Sequence, residues 1–169
     1  MPGNASFRGP MAYRSNFHWP CPVNLDGLEY DSVEHAYQAA KFLDPQIRLL
    51  FRDEGDSMTP GKTKNLARTL TAQGLLRKDW ERVNLGIMED LVRQKFQKPE
   101  LRRLLAASDD LIVEDNYWHD NFWGACFCDK CESKPKLNHL GRILMKIREE
   151  IKRDLPYGTQ TTGEVPRFV

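Results

Sequence analysis

Near the C-terminus, Leu140, Ile143, Leu144, Ile147 and Ile151 recur at intervals of three and four residues. At about 100° per residue these five share one stripe, and Arg142, Lys146, Glu149 and Lys152 fall outside it, so the segment is an amphipathic helix with one buried side. The same pattern returns upstream. Ile87, Met88, Leu91, Val92 and Phe96 mark a second helix ending near Pro99, and Pro99 sits well in the first turn of a third that contributes Leu101, Leu104 and Leu105. Leu66, Ala67 and Leu70 mark a shorter one. Strand signals are fewer. FHWPCPVNLDGLEY, residues 17–30, places short apolar runs around Asp26-Gly27, a hairpin-turn pair, with Pro20 and Pro22 confining the first run to an edge. The LIV at 111–113 is a further strand candidate. These patterns predict a mainly helical α+β single domain with a small N-terminal hairpin and short strands.

A chain of 169 residues suits one domain. The first dozen residues and the segment 155–169 are rich in Gly, Pro, Thr and Ser without periodicity and are expected to be flexible tails around a domain at 13–152. Lys and Arg number 25 against 24 Asp and Glu, so no overall field directs the chain to nucleic acid, and any such partner must be met by a local patch. No apolar run reaches the roughly 20 residues of a membrane span, and the N-terminus lacks a signal-peptide core. A soluble, cytoplasmic monomer with no membrane partner is expected.

Helical spacing gives SVEHAYQAAKF, residues 32–42, two adjacent stripes. Val33, Ala36, Tyr37 and Ala40 form an apolar one; Glu34, Gln38 and Lys41 form a polar one, with Glu34 and Lys41 about 20° apart in azimuth. Two accounts fit. Asp31 or Ser32 can cap the helix while Glu34 and Lys41 complement its dipole, or the polar stripe can wall a site. VEDNYWHDNFWG, residues 113–124, speaks for a site: Trp118 and Trp123 can stack on a base or a sugar, and Asp115 or Asp120 can act as acid, base or electrostatic stabiliser. CFCDKC brings Cys126, Cys128 and Cys131 together, with His139 beyond seven intervening residues. That is not a standard finger spacing, so free thiols are expected and no metal, with Cys126, Cys128, Cys131 and His139 as the zinc alternative. His35 and His119 read as structural histidines. Lys62, Lys64 and Arg68 can contact phosphate at a helix N-terminus or simply face solvent.

Taken together, SNF at 15–17, SVEHAYQAAKF, KNLAR, RKDWE, IMEDLVRQKF, the 113–124 segment and NHLGRILMKIR resemble, in order and spacing, the NADAR superfamily, also called YbiA-like. The resemblance implies a YbiA-like fold and an N-glycosidase, a hydrolase of ribosyl–nitrogen bonds that needs no cofactor. It implies one of two substrate classes: ADP-ribose on guanine bases of DNA or RNA, which is favoured here, or ribosylaminopyrimidine phosphates of riboflavin synthesis. A non-catalytic ADP-ribose-binding module is the alternative from another class. Matched position by position, Glu34, Lys41 and Asp120 would form the reactive centre. Ser15, Asn16 and Phe17 would hold ribose and phosphate, with Trp80 and Trp123 as aromatic walls and Arg68 on phosphate. Trp118, Gly124 and Asn138 complete the expected substrate site. In that scheme one of Glu34 and Asp120 activates water and the other orients ribose hydroxyls, while Lys41 serves either as an ammonium or as a Schiff-base amine.

Overall fold

The structure is a computed structural model that describes residues 7–52 and 57–155. Six helices carry it: α1 (Val33–Ala40), α2 (Pro45–Leu49), α3 (Pro60–Ala72), α4 (Trp80–Lys95), α5 (Pro99–Ala106) and α6 (His139–Asp154). Pro stands in the first turn of α2, α3 and α5, where its missing N–H costs nothing. Helix α6 buries Leu140, Ile143, Leu144, Ile147 and Ile151 against α4 and α5, the stripe expected from its spacing. On α4, Met88, Leu91 and Val92 are all but inaccessible to water.

Helix α1 is the centre of the molecule. It packs on α2, α3 and α4 and on both strands of the hairpin, and all eight of its residues are buried. Small side chains make that fit: Ala36, Ala39 and Ala40 let neighbouring elements approach its backbone closely. Ser32 caps it, its hydroxyl accepting the His35 N–H at 3.2 Å. His35 in turn donates from Nε2 to the Met58 carbonyl at 2.6 Å and accepts the Ser32 hydroxyl proton on Nδ1 at 2.7 Å. It is the structural histidine that the sequence suggested.

The hairpin forms as expected. Strands β1 (Val23–Leu25) and β2 (Leu28–Tyr30) pair antiparallel around Asp26 and Gly27, which have φ of 49° and 85°, the two positive values a tight type I′ turn requires. The other strand pair lies elsewhere than expected. Residues 111–113 make no strand; instead β3 (Asp115–Asn116) runs parallel to β4 (Ala125–Cys126). The apolar signal was Ile112, which is fully buried as a single loop anchor rather than as part of a ladder.

At the N-terminus, the described residues extend ahead of residue 13. Gly9–Arg14 forms a 3-10 helix, and Phe7 and Met11 pack on the core. Arg14 is buried and forms a two-pronged ion pair with Asp110, both contacts 2.7 Å. Residues 1–6 and 156–169, most of the expected tails, lie outside the described residues. Among the described residues no helix is long and apolar enough to cross a membrane.

Candidate active site

One face of α1 opens into a cleft of about 640 Å³, within the range of small-molecule sites. Glu34 and Gln38 line it from α1, Lys41 from the cap that ends this helix, Lys64 and Asn65 from α3, and Ser15, Asn16 and Phe17 from the segment before the hairpin. Glu114, Asp115, Trp118, Asp120 and Trp123 close the opposite side from the loop after α5. Arg8 stands at the margin, hydrogen-bonded to the Tyr117 hydroxyl.

Capping alone does not account for Glu34. A carboxylate that only complements a helix dipole stays in water, whereas Glu34 is 6 % exposed. Burial pushes its pKa up, opposed by the Gln38 amide, which donates to Oε1 at 2.7 Å, and by Lys64 and Lys41; Asp120 pushes it further up. Lys41 lies 5.6 Å from the Tyr37 ring centre and 5.8 Å from that of Trp80. Burial lowers its pKa, Glu34 resists, and Lys64 and Arg68 lower it again. The net direction is down, so desolvation outweighs the Glu34 attraction that the sequence put first.

Asp120 is held by its own loop. Its Oδ1 accepts the N–H groups of Phe122 and Trp123 at 3.0 and 2.9 Å, and Asn116 clamps its backbone from both sides. The Trp123 ring meets Tyr37 edge-on, fixing this wall against α1. Trp118 lines the cleft and is 50 % exposed, leaving a face for stacking.

Of the expected site, Glu34, Lys41, Asp120, Ser15, Asn16, Phe17, Trp118 and Trp123 thus share one cleft. Four residues do not line it. Trp80 is buried behind Tyr37, with ring centres 5.1 Å apart, and supports the wall from the core. Arg68 is exposed on α3 and acts on Lys41 only through its charge. Gly124 and Asn138 hold the loop from behind: a side chain at Gly124 would collide with the Glu114 carbonyl at 2.3 Å, while Asn138 accepts the Glu114 N–H and donates to the Ile112 carbonyl.

Glu114 is an acidic lining residue not assigned from the sequence. Burial, reinforced by Asp120 and Glu34, pushes its carboxyl up to about 7, with Lys64 opposing. Its Oε2 is buried without a hydrogen-bond partner, as are Asn16 Oδ1 and Gln38 Oε1. The VED tripeptide carried the signal, but which of its acids turns inward depends on a loop conformation that no periodicity encodes.

The cluster named as the zinc alternative differs in its histidine. Cys126, Cys128 and Cys131 converge, but on His119 rather than His139. His139 packs edge-on against Phe122 with ring centres 4.7 Å apart.

A family sequence pattern described as the NADAR domain matches residues 7–152, nearly all of the described chain. The chain belongs to the NADAR family. An N-glycosidase of Nostoc punctiforme is 35 % identical to it over 144 residues, covering 85 % of this chain and 87 % of that protein. A riboflavin biosynthesis protein of Vibrio vulnificus is 33 % identical over 146 residues, 86 % of this chain but 37 % of that longer protein. The solution structure of Escherichia coli YbiA matches with a TM-score of 0.71 and 31 % identity, covering 91 % of this chain and 88 % of that one. This NADAR chain is therefore an enzyme, an N-glycosidase, on an α+β fold shared with YbiA.

Proposed function

We propose that the cleft hydrolyses the bond between a ribose anomeric carbon and a base nitrogen, with ADP-ribose attached to guanine as the preferred substrate and water as the second reactant. The observation that carries this reading is the set of buried acceptors, Asn16 Oδ1, Gln38 Oε1 and Glu114 Oε2, each without a partner and each on a residue of the cleft wall. Unpaired buried acceptors are costly, and a polyhydroxyl ligand such as ribose offers the donors that satisfy them. Lys41 and Lys64 supply the positive charge that its phosphate requires.

Breaking the bond builds positive charge on the sugar and negative charge on the departing base. Asp120, set by two backbone N–H groups, is assigned to the anomeric carbon, where it stabilises the oxocarbenium character and takes a proton from the attacking water. Glu34, steadied by Gln38, orients the ribose hydroxyls. Glu114, whose proton is retained to about pH 7, is assigned as the acid that protonates the base nitrogen as the C–N bond breaks. One bond breaks, one carbon–oxygen bond forms, and free sugar and base leave.

The preference for ADP-ribosyl-guanine is supported by half-exposed Phe17 and Trp118 at 45 % and 50 %, which give the mouth stacking surface for a second base. The relative named for riboflavin biosynthesis supports ribosylaminopyrimidine phosphates as the competing class. Parallel incubations separate them: release of free ADP-ribose from an ADP-ribosylated guanine oligonucleotide, faster than release of ribose 5-phosphate from a ribosylaminopyrimidine phosphate, is expected. The reverse order reassigns the substrate. Tight ADP-ribose binding with neither release identifies a binding module. A cytoplasmic location belongs to the same proposal.

A further inference from the structure

Outside the cleft, the loop and turn between β3 and α6 bring four soft donor atoms to one point. The Nδ1 of His119 lies 3.8 Å from Cys126 Sγ, 3.4 Å from Cys128 Sγ and 3.4 Å from Cys131 Sγ. Cys126 Sγ and Cys128 Sγ are 3.4 Å apart, and all four atoms lie within 4.8 Å of one another. Hydrogen bonding does not explain this convergence. A ring nitrogen carries either one proton or one in-plane lone pair and so serves one sulfur, yet three approach it. Nor is it a disulfide: the thiols are unbonded, and their separation exceeds the roughly 2.05 Å of an S–S bond.

A tetrahedral ion explains it. With zinc–sulfur bonds of about 2.3 Å and a zinc–nitrogen bond near 2.0 Å, ligand atoms stand about 3.8 Å apart for two sulfurs and roughly 3.5 Å for sulfur and nitrogen. We propose that His119, Cys126, Cys128 and Cys131 bind one structural zinc ion, which ties the Asp120 loop to the turn before α6. Four protein ligands leave no open position, so the ion is a fastener and not a reagent. Three thiolates and a neutral imidazole select zinc over magnesium or calcium, which prefer oxygen. The turn is already shaped for the role: Asp129–Cys131 forms a 3-10 helix, and Lys136 Nζ donates to the carbonyls of Cys131, Glu132 and Lys134. Lys130, Lys134 and Lys136 offset the charge of about −1 that a three-thiolate site carries.

His119 holds a left-handed backbone, φ 67°, which turns its ring toward the cysteines while Trp118 and Asp120 on either side line the cleft. The site is therefore coupled to the cleft through adjacent residues. It does not depend on which substrate the cleft takes.

The test is metal content and coordination spectrum. Protein from zinc-supplemented cells, purified without chelator, is expected to carry about one zinc per chain, and cobalt in its place is expected to give the intense visible bands of a tetrahedral thiolate site. Cys128→Ser and His119→Ala should each weaken zinc by about a hundredfold or more, whereas His139→Ala should keep it. Because a lost ligand can also cost folding, His119→Cys is the companion variant: it retains four soft ligands and should retain stoichiometric zinc. Zinc below about a tenth of an equivalent in the wild type, an octahedral cobalt spectrum, or full zinc in Cys128→Ser and His119→Ala overturns the assignment. On metal removal, amide exchange in residues 116–124 should quicken; unchanged exchange there overturns the fastening role.

Discussion

Glu114 and Glu34 show how one cleft gives two carboxyl groups different work. Both are raised by burial, but Gln38 donates to Glu34 and steadies its ionised form, whereas Glu114 has no donor on Oε2 and is pushed up to about 7. An acid must hold its proton to donate it, so the contribution of Glu114 to the rate is present below about pH 7 and lost above it. The pH profile of kcat/KM should fall on its alkaline side near 7, and Glu114→Gln should lower the plateau and remove that limb. An unchanged limb in the variant assigns the proton elsewhere. The linkage to stability has the same sign. The folded chain holds this proton where the unfolded chain has released it, so the stabilisation is complete below about 4.5 and disappears as pH rises through about 7. Helical spacing put Glu34 and Lys41 on one stripe, because 100° per residue turns a helical sequence into a surface, and the family resemblance singled that stripe out. Glu114 stands in a loop whose backbone is held at this residue by Asn138, 24 residues away.

The segment 112–124 is the element on which the cleft depends, and it is held by contacts of its backbone more than by a ladder. Two glycines let it lie flat: a Cβ at Gly124 would meet the Glu114 carbonyl at 2.3 Å, and one at Gly141 would meet the Ile112 carbonyl at 2.3 Å. Backbone atoms cannot step aside as a flexible side chain can. Gly124→Ala is expected to destabilise the fold by about 2–3 kcal/mol in chemical denaturation and to reduce activity more than a surface substitution of equal cost, because Glu114 and Asp120 move with the loop. Wild-type stability and activity in that variant would contradict this packing. The loop's aromatic and acidic composition was legible in the sequence, as was its place on the site. Its strand was misread, because the apolar run at 111–113 serves burial of Ile112 while pairing falls to polar Asp115 and Asn116. The clustering of the three cysteines was legible, but the histidine they meet was not, since His119 precedes them in a loop whose turn brings it back.

At the scale of the molecule, the helices follow directly from their periodicity. The α6 stripe buries against α4 and α5, and α1, short but wholly buried, sits among the elements they leave open. What periodicity withheld was this centrality: a helix of eight residues with three polar ones reads as a surface element until its neighbours are known. Burial is also what sets Glu34 and Lys41 apart from ordinary helix-end charges, since low local polarity strengthens every electrostatic contact they make. In the proposed reaction this buried stripe and the facing Asp120 cleave a ribosyl–nitrogen bond. The most direct test is the single-turnover rate of Glu34→Gln and Asp120→Asn on the substrate that the wild type cleaves fastest, with folding checked by circular dichroism. Each variant is predicted to fold normally and lose about a hundredfold or more in rate; near wild-type rates in both would contradict the account.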